Sequence, residues 1–143
     1  MYIETRDFGK IEIAEAELIE FKEPILGFAD DTKFALLQNN DLTEILWLQS
    51  IKNKDVCFLV IDPDASFKGY NPTFPVDIVN KLGLTKENTV VRTMLSVKNN
   101  FKDSTTNLKA PIVINKETRL AAQIVLEDDY QIKTPLFAKK EVK

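Results

Sequence analysis

The sequence predicts an all-β fold, mainly antiparallel, arranged as a small curled sheet or barrel-like single domain with one short helix near 74–82. Three observations carry this. Apolar residues come in short runs, at 2–5, 9–13, 33–38, 45–50, 56–62, 89–97, 111–115 and 120–127, which are strand lengths rich in β-branched and aromatic side chains. Segments of turn chemistry separate these runs. Only one stretch carries helix start and stop signals, and strands this numerous protect their edges most economically by curling or closing.

From the N-terminus, Ile11-Glu12-Ile13 and Leu18-Ile19-Glu20-Phe21 partly alternate polar and apolar residues, as a sheet with one wet face requires. Pro24 to Gly27 fits a turn with Gly27 at positive φ and Phe28 as its anchor in the core. Asn39-Asn40-Asp41, Lys52-Asn53-Lys54-Asp55 and Lys98-Asn99-Asn100 are turns, because Asn and Asp tolerate left-handed backbone and bond to neighbouring main chain. Cys57-Phe58-Leu59-Val60-Ile61 is apolar throughout, which predicts a central strand covered on both faces. Pro63 should end it by withholding an N–H, and Asp62 should accept from the amides that follow.

The helix over 74–82 has Thr73 as a candidate cap, Pro75 in the first turn and Gly83 as a left-handed stop. Val76, Val79 and Leu82 should share a face, as should Ile78 and Leu82, and that face is expected to close one end of the sheet structure. Asn107 should satisfy backbone groups where the chain leaves the sheet. Gln49 and Gln123 fit either of two roles, a brace inside the protein or a contact on its surface. The whole chain, 1–143, reads as one domain, with a short charged tail at 138–143 that is expected to fray.

Composition excludes several functions. Of 143 residues, 44% are hydrophobic and 29% charged, a balance that supports a packed core. Twenty-two acids against 19 bases give a net charge of −3, so no positive field draws in a phosphate backbone and no direct nucleic-acid partner is expected. The only arginines are Arg6, Arg92 and Arg119. Cys57 is the single cysteine, which rules out an internal disulfide, and its apolar flanks predict a buried thiol. With no basic-then-apolar leader at its start and no run near the roughly 20 apolar residues that span a bilayer, the chain is expected to be cytoplasmic and off the membrane.

Catalytic sets are also missing. There is no histidine, which removes Ser-His-Asp and Cys-His chemistry and the commonest metal ligand. Four glycines, at Gly9, Gly27, Gly69 and Gly83, cannot assemble a phosphate-binding loop. The carboxylates Asp62 with Asp64, Asp30 with Asp31, and Glu127 with Asp128 and Asp129 read as solvated turns rather than an acid and base. Asp62-Pro63-Asp64-Ala65-Ser66 has the opening of a calcium loop, but Phe67 stands where the turn glycine belongs and Thr73 where the bidentate acid belongs. No enzyme activity, cofactor or metal is expected.

Several segments, in order along the chain, resemble the FliW family. They are Glu23-Pro24-Ile25-Leu26-Gly27-Phe28, Trp47-Leu48-Gln49-Ser50, the run Cys57 to Pro63, Gly69-Tyr70, Lys81-Leu82-Gly83-Leu84, and above all Thr106-Asn107-Leu108-Lys109-Ala110-Pro111-Ile112-Val113-Ile114-Asn115 with Ala122-Gln123-Ile124-Val125-Leu126 after it. The resemblance implies a flagellar assembly factor that holds flagellin before export and binds the translational regulator CsrA, relieving its repression of flagellin synthesis by partner switching. Polarity and loop position nominate Asp62, Asp64, Lys68, Tyr70, Glu127, Asp128 and Asp129 for partner contact. The competing reading is an OB-like barrel that binds single-stranded nucleic acid, with nine phenylalanines and three tyrosines as stacking platforms.

Overall fold

A computed structural model describes residues 1–39 and 42–137. Among these residues eleven strands form: β1 Tyr2–Thr5, β2 Gly9–Glu12, β3 Ile19–Glu23, β4 Lys33–Asn39, β5 Leu42–Ser50, β6 Cys57–Ile61, β7 Thr89–Ser96, β8 Thr105–Thr106, β9 Ile112–Asn115, β10 Leu120–Gln123 and β11 Thr134–Pro135. Two helices, α1 Pro63–Ser66 and α2 Val76–Leu82, complete the regular structure with two 3₁₀ turns. β1 and β2 make a separate hairpin. The remaining strands run in the order β11-β8-β7-β6-β5-β4-β3-β10-β9, and a further pairing of β7 with β9 closes β3, β4, β5, β6, β7, β9 and β10 into a barrel. Every pairing is antiparallel except β3 with β10.

Strand alternation sorts the core into an inside and an outside. Ile19, Phe21, Phe34, Leu48, Val60, Ile112, Ile114 and Ala121 fill the barrel interior. Their sequence neighbours face outward and need cover. The hairpin of β1 and β2 brings Ile3 and Ile13 against Ala35. Helix α2 lays Ile78 and Leu82 over Val113, Ala122, Ile124 and Leu126. The helix therefore covers the outer wall of β9 and β10 rather than closing an end, because Val113 and Ala122 point away from the interior that Ile112, Ile114 and Ala121 fill.

The expected helix also starts later than 74–82, and Val76 is not on its packed face but 75% exposed. Pro75 stands at the cap position and has no side-chain acceptor to offer, and the Thr73 hydroxyl, two residues earlier, donates to Asp128. Gly83 does take the left-handed stop, at φ 61°. The run at 120–127 ends as a strand at Gln123. Continuing the β9 register, Pro111 falls opposite Ile124 and accepts its N–H at 3.1 Å but has none to return, so the ladder breaks. Helix α1 was not expected, although its signals are those of any helix start: Asp62 accepts the Asp64 N–H at 3.0 Å as cap, and Pro63 sits at the first position. The tail at 138–143 and the turn residues Asn40 and Asp41 lie outside the described residues.

Gln49 and Gln123 are braces. Gln49 is wholly buried; its amide nitrogen reaches the carbonyls of Ser50 and Lys54 at 3.0 and 3.1 Å, and its oxygen accepts the Arg6 N–H at 3.1 Å. Gln123 accepts the Leu26 N–H at 2.9 Å and donates to Ala110 at 3.3 Å, tying the Pro24–Gly27 turn to the wall. In that turn Gly27 has φ 86°, and Phe28 stacks edge-to-face on Phe58. Asn107 accepts from the amides of Lys109 and Ala110, as its position in the sequence predicts.

Candidate protein-binding groove

A groove of about 680 Å³ lies on the wall of β5, β6 and β7. Ile45, Ile61 and Leu136 form an aliphatic floor, and Phe101 and Phe137, paired edge-to-face with centroids 5.3 Å apart, form one side. Leu136 is held there by its N–H, which donates to Ser104 at 3.0 Å. Asp62, Glu44 and Arg92 are the charged residues in the lining. Phe101 and Phe137 are each more than two-fifths exposed, which is costly for phenylalanine unless something covers it.

The nominated residues separate into two places. Asp62 lines the groove at the start of α1, with exposed Asp64 and Lys68 following it along the chain. Tyr70 and Asp128 lie elsewhere, in a knot that ties the loop before α2 to the loop after β10. The Tyr70 hydroxyl donates to the Leu108 carbonyl at 2.7 Å, and its ring meets Tyr130 at a centroid distance of 4.7 Å. The Tyr130 hydroxyl accepts the Asn71 N–H at 3.1 Å. Asp128 accepts from the Thr73 hydroxyl at 3.0 Å and from the Thr73 N–H at 3.3 Å, while Lys109 holds the Asp128 carbonyl at 2.7 Å. Burial, followed by the neighbouring Tyr130 and Asp128, pushes the Tyr70 phenol well above its ordinary range. Glu127 and Asp129 flank this knot and are exposed.

Glu44, Arg92, Phe101, Leu136 and Phe137 were not anticipated as site residues. Arg92 alone left a trace in the sequence, as a charge inside the apolar run 89–97. Glu44 lies on β5, while Phe101, Leu136 and Phe137 depend on the 3₁₀ turn at Phe101–Asp103 and on β11, which bring distant segments to one wall.

Among the described residues, no three histidine, cysteine or carboxylate side chains converge to hold a metal. Cys57 is buried at the opposite end of β6, where desolvation pushes its thiol up to about 11 against a weaker opposing pull from Arg6. No helix among these residues is long and apolar enough to cross a membrane.

A closed seven-stranded barrel with α2 against its outer wall and an apolar, carboxylate-edged groove defines a class of small β-barrel proteins. Comparison with known proteins makes the class specific. The family model described as FliW protein matches residues 2–136. The flagellar assembly factor FliW of Natranaerobius thermophilus is 36% identical over 140 residues, covering 96% of this chain and 93% of that one, and that of Syntrophus aciditrophicus is 39% identical, covering 90% and 82%. A crystal structure of the flagellar assembly factor FliW superposes with a TM-score of 0.93 at 34% identity, over 99% of this chain and all of that one. The chain belongs to the FliW family of flagellar assembly factors.

Proposed function

We propose that this flagellar assembly factor acts in the cytoplasm as a non-enzymatic binding protein that holds flagellin or CsrA, one at a time, and so antagonises CsrA's repression of flagellin mRNA translation. The observation that carries the reading is the composition of the groove. Its aliphatic floor of Ile45, Ile61 and Leu136 suits an apolar segment, and Asp62 and Glu44 at the same place suit a basic partner. One site that meets both demands gives a physical reason for exclusive binding.

Asp64 and Lys68 extend the charged rim beyond Asp62, and exposed Glu127 and Asp129 offer a second acidic segment to CsrA. Tyr70 and Asp128 serve by holding the loops between these segments in place. Opposite charges across an exposed rim act mainly on association rate and are screened within about 8 Å at physiological salt. Calorimetry and stopped-flow binding with purified flagellin and purified CsrA, each at low and high salt, test the reading. Both partners are expected to bind, with CsrA association slowing markedly as salt rises and flagellin association changing less. Absence of binding to both would overturn it.

A further inference from the structure

The two phenylalanines beside the groove are positioned through one buried residue. Ser104 accepts the Leu136 N–H at 3.0 Å, and its hydroxyl donates to the Phe101 carbonyl at 2.6 Å. Asn100 accepts the Lys102 N–H at 2.8 Å and so caps the 3₁₀ turn that carries Phe101. The rings of Phe101 and Phe137 meet at 64°, an edge-to-face arrangement that leaves aromatic faces unused by the pair itself, and both side chains are exposed.

The charges in the same lining do not neutralise one another. Arg92 gives its guanidinium to the Val91 carbonyl at 2.9 Å. Among the described residues, ion pairs join Arg6 to Asp7, Lys22 to Glu20 and Lys81 to Glu23, and none of these lies in the groove. Exposed Glu44 and Asp62 thus edge the groove with no described lysine or arginine at ion-pair distance. An aromatic face and a carboxylate attract the same kind of group, because the face is the negative pole of the ring quadrupole. The aliphatic floor beside them selects between cations. An ammonium is a compact, strongly hydrated charge, whereas a guanidinium is planar, more weakly hydrated, and able to lie flat on a ring while its N–H edge meets a carboxylate.

We infer that the groove reads an arginine of its basic protein partner: the guanidinium stacks on the Phe101 and Phe137 pair and turns its N–H edge to Asp62 and Glu44. Phe101 and Phe137 are then specificity-determining residues for that partner, beyond the apolar area they add. An apolar partner segment needs the floor of Ile45, Ile61 and Leu136 and gains nothing from the ring quadrupole, so the two kinds of partner respond differently to the same substitution. The inference deepens the proposed function and rests on it for its probe, CsrA.

NMR of CsrA labelled at its arginine side chains, free and saturated with the unlabelled full chain, tests it without any substitution. One guanidinium signal is expected to move upfield in the complex, as a group lying over a ring face does. Stopped-flow binding to variants supplies the second readout. Phe101→Leu and Phe137→Leu keep an apolar side chain and remove the quadrupole, and CsrA should leave either variant about three- to tenfold faster. That change should persist at high salt, since a desolvated contact is screened far less than an exposed one, and flagellin dissociation should stay nearly constant. Phe101→Trp, with the stronger aromatic face, should slow CsrA release. A CsrA complex in which no arginine signal moves, or leucine variants that release CsrA and flagellin to the same extent, would overturn the arginine reading and leave CsrA binding intact. No CsrA complex with the parent chain would remove both readings.

Discussion

The groove and the Tyr70–Asp128 knot both hold carboxylates in exposed loops, yet they spend them differently. At the knot, each carboxylate oxygen of Asp128 is engaged by Thr73, and the hydroxyls of Tyr70 and Tyr130 are both committed to backbone partners. In the groove, Asp62 gives one oxygen to the Asp64 amide and otherwise faces a concavity floored by aliphatic side chains. A carboxylate with its hydrogen bonds filled from within holds loops together; one on the rim of an uncovered apolar surface is available to a partner. The difference lies in what surrounds the acid, and the acid's place in the sequence does not reveal it.

The largest expected effect of breaking this contrast is at the knot. Asp128→Lys removes both acceptors of Thr73 and sets a second cation near the Lys109 ammonium, which bonds the carbonyl of residue 128 itself. A loss of about 2 kcal/mol is expected in urea unfolding, from unmade hydrogen bonds to a charged group. An unchanged unfolding midpoint would mean that the knot is ornamental and that Asp128 belongs with the rim acids. Tyr70→Phe keeps the ring against Tyr130 and loses only the hydroxyl, leaving the Leu108 carbonyl without that donor. It should cost about 1 kcal/mol with partner binding unaltered.

In the groove the order reverses. Asp62→Asn should shift stability by less than about 0.5 kcal/mol, because asparagine caps helices as well as aspartate does. It should nevertheless slow CsrA association at low salt, and the deficit should vanish as salt rises. Association rates unchanged at every salt concentration would count against Asp62 as a steering charge.

A pH-dependent contrast concerns the other end of β6, where Cys57 is buried. Burial pushes the Cys57 thiol from an ordinary 9.0 up to about 11. Between these values the unfolded chain loses the thiol proton and the native chain keeps it, so the thiol's contribution is fully present below about pH 9 and declines as pH rises toward 11. Urea midpoints at about pH 8 and about pH 10.5 should differ less in Cys57→Ala than in the parent chain. Alkylation of the native thiol should likewise be slow; rapid reaction would show that Cys57 is not buried.

Much of the barrel was legible because it depends on local pattern. The apolar continuity of Cys57–Ile61 marked the strand that lies between β5 and β7, Gly83 marked the helix stop, and Asn107 marked a turn whose amides needed an acceptor. The errors came where distant residues decide the outcome. Thr73 caps nothing because α2 starts only after Pro75, and the threonine hydroxyl instead donates to Asp128, 55 residues away. Val76 is exposed because the wall it was expected to meet lies under Ile78 and Leu82 instead. The groove was least legible, since its floor joins residues 45, 61 and 136 through strand pairings that periodicity alone does not fix, and β11 contributes only two residues to the pattern. Asp62 was found for its charge, while the apolar company that gives the charge meaning came from β5 and the C-terminal segment.

The account turns on one site serving two partners, and a competition titration tests that most directly. Flagellin is titrated calorimetrically into the protein alone and into the protein saturated with CsrA, and the reverse is done with CsrA. Linkage requires each partner to weaken the other by the same factor. The account predicts that apparent affinity for either falls in proportion to the concentration of the other, with no ternary species in sedimentation. A ternary complex that forms with undiminished affinities would contradict it and place the two partners on separate surfaces.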